Sequence, residues 1–202
     1  MTSTLHSGWK PGFGIVYTWF GMDKNGKIGV FVNNCWGELP SVLLKQDSVE
    51  HILDSISEYI HEESEVFTII PPDKNGDFSV DMFPAWTGPK TKEKVKQLYD
   101  EISSQKKPLS YGNLPKNKGL YVYFAVEGSF PGEDYPVGYN GSTEMGDYYR
   151  YLIPGVFGSI EDFPDGLRGG VVVSKTIDFN IDRVIPNCCI DKHFNSMYAR
   201  DQ

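Results

Sequence analysis

The chain has 202 residues, 40% hydrophobic and 14% aromatic, enough for one sizeable core and matching a single α+β domain over residues 1–202. Its formal net charge is −8, with 27 acidic against 19 basic residues, which argues against nucleic acid and anionic lipid as partners and favours a basic protein. The sequence holds no run of ~18 apolar residues that could span a membrane. It also lacks a basic-then-apolar leader in MTSTLHSGWK and has only three cysteines, two of them adjacent, so a reducing cytoplasm is expected.

Residues 13–33 begin the pattern. Two runs rich in Val, Ile, Tyr, Phe and Trp flank Asp23-Lys24-Asn25-Gly26, and Asn-Gly supplies the positive φ of a tight turn, which predicts a β-hairpin. The same tetrapeptide recurs at residues 73–76, between VFTIIPP and DFSVDMF, and predicts a second hairpin carrying Pro71 and Pro72. Between them, residues 47–63 place Val49, Ile52, Leu53, Ile56 and Ile60 on one helical face, with Asp47 and Glu50 spaced as a capping box. Residues 91–105 do the same with Val95, Leu98, Tyr99 and Ile102, and Pro108 follows. The first helix is acidic and the second opens with Lys90, Lys92, Lys94 and Lys96, so the two are expected to be neighbours of complementary charge. Residues 119–128, 148–154 and 169–181 read as strands, residues 159–162 as a short helical turn, and the tail from Cys189 as a helix or a frayed end. The fold expected is a mostly antiparallel sheet of hairpins with two principal amphipathic helices packed on it.

Several fragments of chemistry fail on their own terms. Asp23-x-Asn25-Gly26 lacks the carboxylates that an EF-hand loop places at both ends. Cys188, Cys189 and His193 lack a fourth ligand, and adjacent thiols do not point together, so no metal and no cofactor is assigned. Cys35-Trp36, with His193 and Asn195 far downstream, has the chain order of a cysteine-hydrolase triad. However, Gly37-Glu38-Leu39-Pro40 is a poor start for the helix that would activate such a thiol. A hydrolase using Cys35 therefore stands as the rival reading, with a structural or housekeeping role as a third.

Residues 119–149 contain no Lys or Arg and interleave acids with tyrosines among glycines. Tyrosine offers contact area at low entropic cost and carboxylates steer a cationic protein, so this segment is the expected binding surface. The contact residues it nominates are Glu133, Asp134, Tyr135, Asp147, Tyr148 and Tyr149, with Trp36 and Glu38 behind them.

The hairpin YTWFGMDKNGKIGVFVNNCWGELP resembles the aromatic-Phe-Gly-Ile-Asp-x-x-Gly-x-Ile hairpin of bacterial polymorphic-toxin immunity proteins and their uncharacterised relatives. Tyr149-Arg-Tyr-Leu-Ile-Pro154 followed by Ile160-Glu-Asp-Phe-Pro164 is similar to their Tyr-x-Arg-x-x-x-Pro … Leu-Pro segment, with Phe163 in place of the usual Leu. The resemblance covers about a quarter of the chain. It implies a small cytosolic protein that binds and blocks a basic toxin domain made by the same cell, and it carries over no active-site residue.

Overall fold

The computed structural model describes residues 5–70, 73–104 and 110–199. In chain order the elements are β1 (Thr18–Met22), β2 (Ile28–Val32), α1 (Ser41–Leu44), α2 (Val49–Ile60), β3 (Phe78–Val80) and β4 (Phe83–Pro84). Then follow α3 (Lys92–Ser104), α4 (Leu114–Lys118), β5 (Tyr121–Ala125), β6 (Pro136–Val137) and β7 (Tyr148–Pro154). The chain ends with α5 (Asp165–Arg168), β8 (Val172–Ser174), β9 (Val184–Ile185), α6 (Ile190–His193) and β10 (Phe194–Met197). This is an α+β fold around one mixed, mostly antiparallel sheet in the order β10-β8-β1-β2-β5-β7-β3, with β9 also on β7. The β1–β8 and β2–β5 ladders are parallel and the others antiparallel. A separate two-stranded ladder joins β4 to β6.

The β1–β2 hairpin forms around the Asp-Lys-Asn-Gly turn. Asp23 Oδ1 accepts the amides of Asn25 and Lys27, Oδ2 accepts the Phe179 amide, and Gly26 takes φ +80. Alternation along the strands sorts the core. Trp19, Phe31 and Tyr123 stack in one layer, closed by Phe179 and Phe194, beneath Leu43, Leu53 and their neighbours on α1 and α2. Gly21 and Gly29 face each other on this side, and a Cβ at either would press within 3.1 Å of those rings. Phe20, Ile28 and Val30 point the other way, against Ile56, Tyr59, Ile60 and Phe163. Val122, Tyr149, Tyr151 and Leu152 build a third cluster with Phe78, Val80 and Val95, on which α3 packs.

Several expectations change. Residues 66–70 form no strand, and β3 pairs with β7 instead of an upstream partner. The second Asp-Lys-Asn-Gly turn docks on α4, through Lys74 N–H to Asn117 O and Gly76 N–H to Lys116 O. Local turn chemistry thus appears without the strand pairing it usually serves. Ser48, not Asp47, caps α2, with φ 57 and no side-chain bond; Glu50 accepts instead from the Leu5 amide and the Tyr17 hydroxyl. The α3 lysines do not meet α2: Lys92 pairs with Asp81, and Lys96 with Asp77 and Asp100. Leu98, expected in the core, is 41% exposed. Of residues 169–181 only β8 is strand, while the tail adds β10 to the sheet edge. The readings that rest on residues 1–4, Pro71, Pro72, Gln105, Pro108 and residues 200–202 lie outside the described residues. No helix of the described residues is long and apolar enough to cross a membrane.

Candidate functional site

Three loops converge beside the β2–β5 end of the sheet. The first leaves β2 through Asn34 and Cys35, two consecutive non-glycine residues in the left-handed region at φ 43 and 71. Asn33 O accepts the amides of Trp36 and Gly37, and Asn34 Nδ2 donates to Ala125 O at 2.9 Å, tying the turn to the end of β5. Gly37 lies against the Tyr148 ring, where a Cβ would come within 2.5 Å. Asn187 locks the outer side, accepting from Glu38 N–H and donating to Trp36 O. The second loop follows β5: Glu133 Oε2 accepts the Ser129 amide and Glu133 N–H donates to Phe130 O, folding residues 128–133 on themselves. The third is the β4–β6 ladder, where the Ala85 amide reaches both Tyr135 O and Asp134 Oδ1.

Between them lies an open cleft of about 420 Å³. Its walls carry Phe13, Trp36 and Trp86; its polar lining is Asn34, Ser129, Glu127, Glu133 and Asp134, and Cys35 lies on the same surface. Among the described residues no Lys, Arg or His lines it. Phe13 is 82% exposed and Trp86 62%, with Phe130 and Tyr135 also exposed nearby. Large rings left open to water around a cleft are apolar area that the fold itself does not bury.

Two of the cleft carboxyls, Asp134 and Glu127, are shifted in the same direction. Asp134 is 5% exposed, and burial pushes its pKa above the ordinary carboxylate range, while the surrounding backbone amides, led by those of Tyr135 and Ala85, pull it back. Its Oδ2 is buried without a hydrogen-bond partner. Glu127 is raised by its own partial burial first and by the Asp134 charge, against the hydrogen bond from the Trp86 side chain. The cleft is therefore an anionic site whose negative charge is held at a cost, and a cation inside it lowers that cost.

The eight nominated residues divide. Trp36, Glu133 and Asp134 line the cleft, and Tyr135 is exposed next to it. Glu38 does not line the cleft; it is half-buried and paired with Lys10 at 3.1 Å. The other three are corrected: Tyr148 and Tyr149 are fully buried, and Asp147 is 8% exposed. Tyr148 accepts from Trp19 Nε1 and donates to Glu38 O, each at 3.0 Å. Asp147 accepts the amides of Glu144 and Asn187 as a loop bracket. Strand alternation failed to expel these tyrosines because β7 is covered on both faces and pairs with β3, β5 and β9. Phe13 and Trp86 were missed; the signal available was a large ring in a Pro-Gly loop, in PGFG and PAWTGP, where no periodicity gives it a core face.

The hydrolase arrangement does not assemble. His193 Nδ1 bonds the Thr176 hydroxyl at 2.8 Å and the Asn195 amide donates to Lys192 O; neither residue lines the cleft that holds Cys35. Among the described residues, no group of three or more His, Cys, Asp or Glu is placed to hold a metal ion. Comparison with known protein families, curated proteins and solved structures finds no match.

Proposed function

We propose that this protein is a non-enzymatic binding domain, an immunity-type inhibitor acting in the cytoplasm, which covers a basic toxin domain with the face around the acidic aromatic cleft. One observation carries the reading: Glu127, Glu133 and Asp134 share a cleft with Phe13, Trp36 and Trp86, and no cation lines it among the described residues. Like charges gathered without an internal counter-ion are offset by a partner's cations, and exposed rings supply the desolvated area that fixes it. The hairpin and Tyr-Arg … Pro likenesses read from the sequence point to the same class.

The test takes the basic domain encoded beside this chain's reading frame, purified in an inactive form, and measures association by stopped flow at several salt concentrations. The double variant Glu127→Lys/Glu133→Lys is expected to slow association by about tenfold and to flatten its salt dependence. Equal rates for variant and wild type remove the cleft from the interface. The rival reading rests on Cys35 lining the same cleft. A nucleophilic thiol labels rapidly with iodoacetamide near about pH 6, whereas the binding reading expects slow labelling.

A further inference from the structure

We propose that Cys188 and Cys189 form a surface dithiol site that chelates a trivalent arsenical carrying one organic group, both sulfurs bonding the same arsenic atom. The site is independent of the binding reading, and neither sulfur lines the acidic cleft. The two Sγ atoms lie 3.8 Å apart, with Cys188 exposed and Cys189 half-buried. Neighbouring residues on a strand would send their thiols to opposite faces, as expected from the sequence. Asn187–Cys189 is instead a 3-10 turn, entered at Pro186 and closed by the Cys189 amide on Pro186 O at 2.9 Å. Both ends of that turn are fixed. The Asn187 amide donates to Asp147 Oδ1, the Asn187 side chain bonds Glu38 N–H and Trp36 O, and Ile190 is buried in the main aromatic cluster. The backbone thus holds the two sulfurs in contact with no covalent link between them.

With a bond of about 2.3 Å to each sulfur, as in zinc thiolates, one atom can join two sulfurs up to about 4.6 Å apart, so this pair is within reach of a single centre. The number of ligands selects which centre. A tetrahedral divalent metal wants three or four protein ligands, and among the described residues no group of three or more His, Cys, Asp or Glu is placed to hold one. Pyramidal trivalent arsenic that already carries a carbon substituent is complete with two sulfurs. Protonation points the same way. The thiol contact with Cys189 leads the causes that raise the Cys188 pKa, and a metal ion must displace that proton before it binds. An arsenical oxide removes the protons itself: its As–O bonding is replaced by two As–S bonds, both thiol hydrogens leave on the oxygen as water, and arsenic stays trivalent, so no oxidant is needed.

The probe is phenylarsine oxide, added to the intact, reduced protein and followed by intact mass. Wild type and Cys35→Ser are expected to gain one phenylarsenic group less two hydrogens, to keep it in excess glutathione and to lose it to dithiothreitol. Retention against a monothiol is the mark of a chelate, because the second sulfur acts at a high effective concentration. Cys188→Ser and Cys189→Ser should each retain arsenic about a hundredfold more weakly. The folded chain should also hold it about tenfold more tightly than the same chain unfolded in urea, whose two side chains must first be brought together. Displacement from the wild type by glutathione, or a single-serine variant at 188 or 189 that retains arsenic as the wild type does, overturns the site. Loss of retention in Cys35→Ser overturns it as well, by assigning one sulfur to the cleft. Equal retention by folded and unfolded chains overturns the role given to the turn, and with it the site.

Discussion

Asp134 shows how one side chain carries opposite obligations. Its carboxyl holds the third loop to Ala85, yet burial leaves Oδ2 unpaired and the pKa raised. A folded pKa above the unfolded value means that the native state holds its proton more tightly, so this group's contribution to stability falls as pH rises through that window. Asp134→Asn removes the titration. Its melting temperature relative to wild type is expected to rise between about pH 4 and pH 7, measured by calorimetry at both pH values. A difference independent of pH removes the raised carboxyl from the account. Tyr148 is the contrary case, read as an anchor for a partner and found as an internal clamp. Tyr148→Phe leaves the Trp19 indole and the Glu38 carbonyl short of a partner, and chemical denaturation is expected to show a loss of about 1–3 kcal/mol.

Elements were legible where a local signal and the global pairing agreed. The first Asp-Lys-Asn-Gly turn, the apolar face of α2, that of α3 apart from Leu98, strands β5 and β7, and the short helical turn at Ile160–Asp162 all follow from residue pattern. The second turn did not, because a turn sequence specifies a chain reversal and not what lies on either side of it. β10 was invisible for a similar reason: Phe-Asn-Ser-Met has little strand propensity and is held by β8 and the ring cluster. In the candidate site, Trp36, Glu133 and Asp134 were legible from charge and ring content, whereas Trp86 and Phe13 arrive from distant loops that only the fold brings together. Two glycines separate backbone strain from crowding. Gly26 sits at φ +80 with no atom within 4 Å of a would-be Cβ, so Gly26→Ala should cost only the left-handed penalty of about 1 kcal/mol. Gly119 sits at φ +70 with backbone atoms of Gly158, Val156 and Phe157 within 2.8 Å, so Gly119→Ala should cost several times more. Urea denaturation of the pair checks this, and equal losses would contradict the assignment.

At the scale of the whole molecule, one buried carboxylate ties distant parts of the chain. Asp81, just after β3, receives Arg150 of β7 and Arg183 ahead of β9, with Arg150 also donating to Phe179 O at 2.6 Å. Burial alone would raise the Asp81 pKa, but the hydrogen bonds and charges of Arg183 and Arg150 outweigh it and hold the group below the ordinary value. A depressed folded pKa gives stability that is present above the unfolded value and lost as pH falls through the folded one. The wild type should therefore weaken below about pH 4, and Asp81→Asn should lose about 3–5 kcal/mol at neutral pH while flattening that acid limb. Denaturation midpoints from about pH 2 to pH 7 test both parts.

The position of β10 has a consequence for how the chain is made. Phe194 packs edge-on against Trp19 and Phe31, and its strand reaches β1 only through β8. A ribosome delivers the hairpin rings early and their covering side chain 163 to 175 codons later, counting Phe194 from Phe31 and from Trp19. Until then the nascent polypeptide carries a greasy, unfinished flank, the kind of surface that chaperones bind and that invites premature association between neighbouring chains.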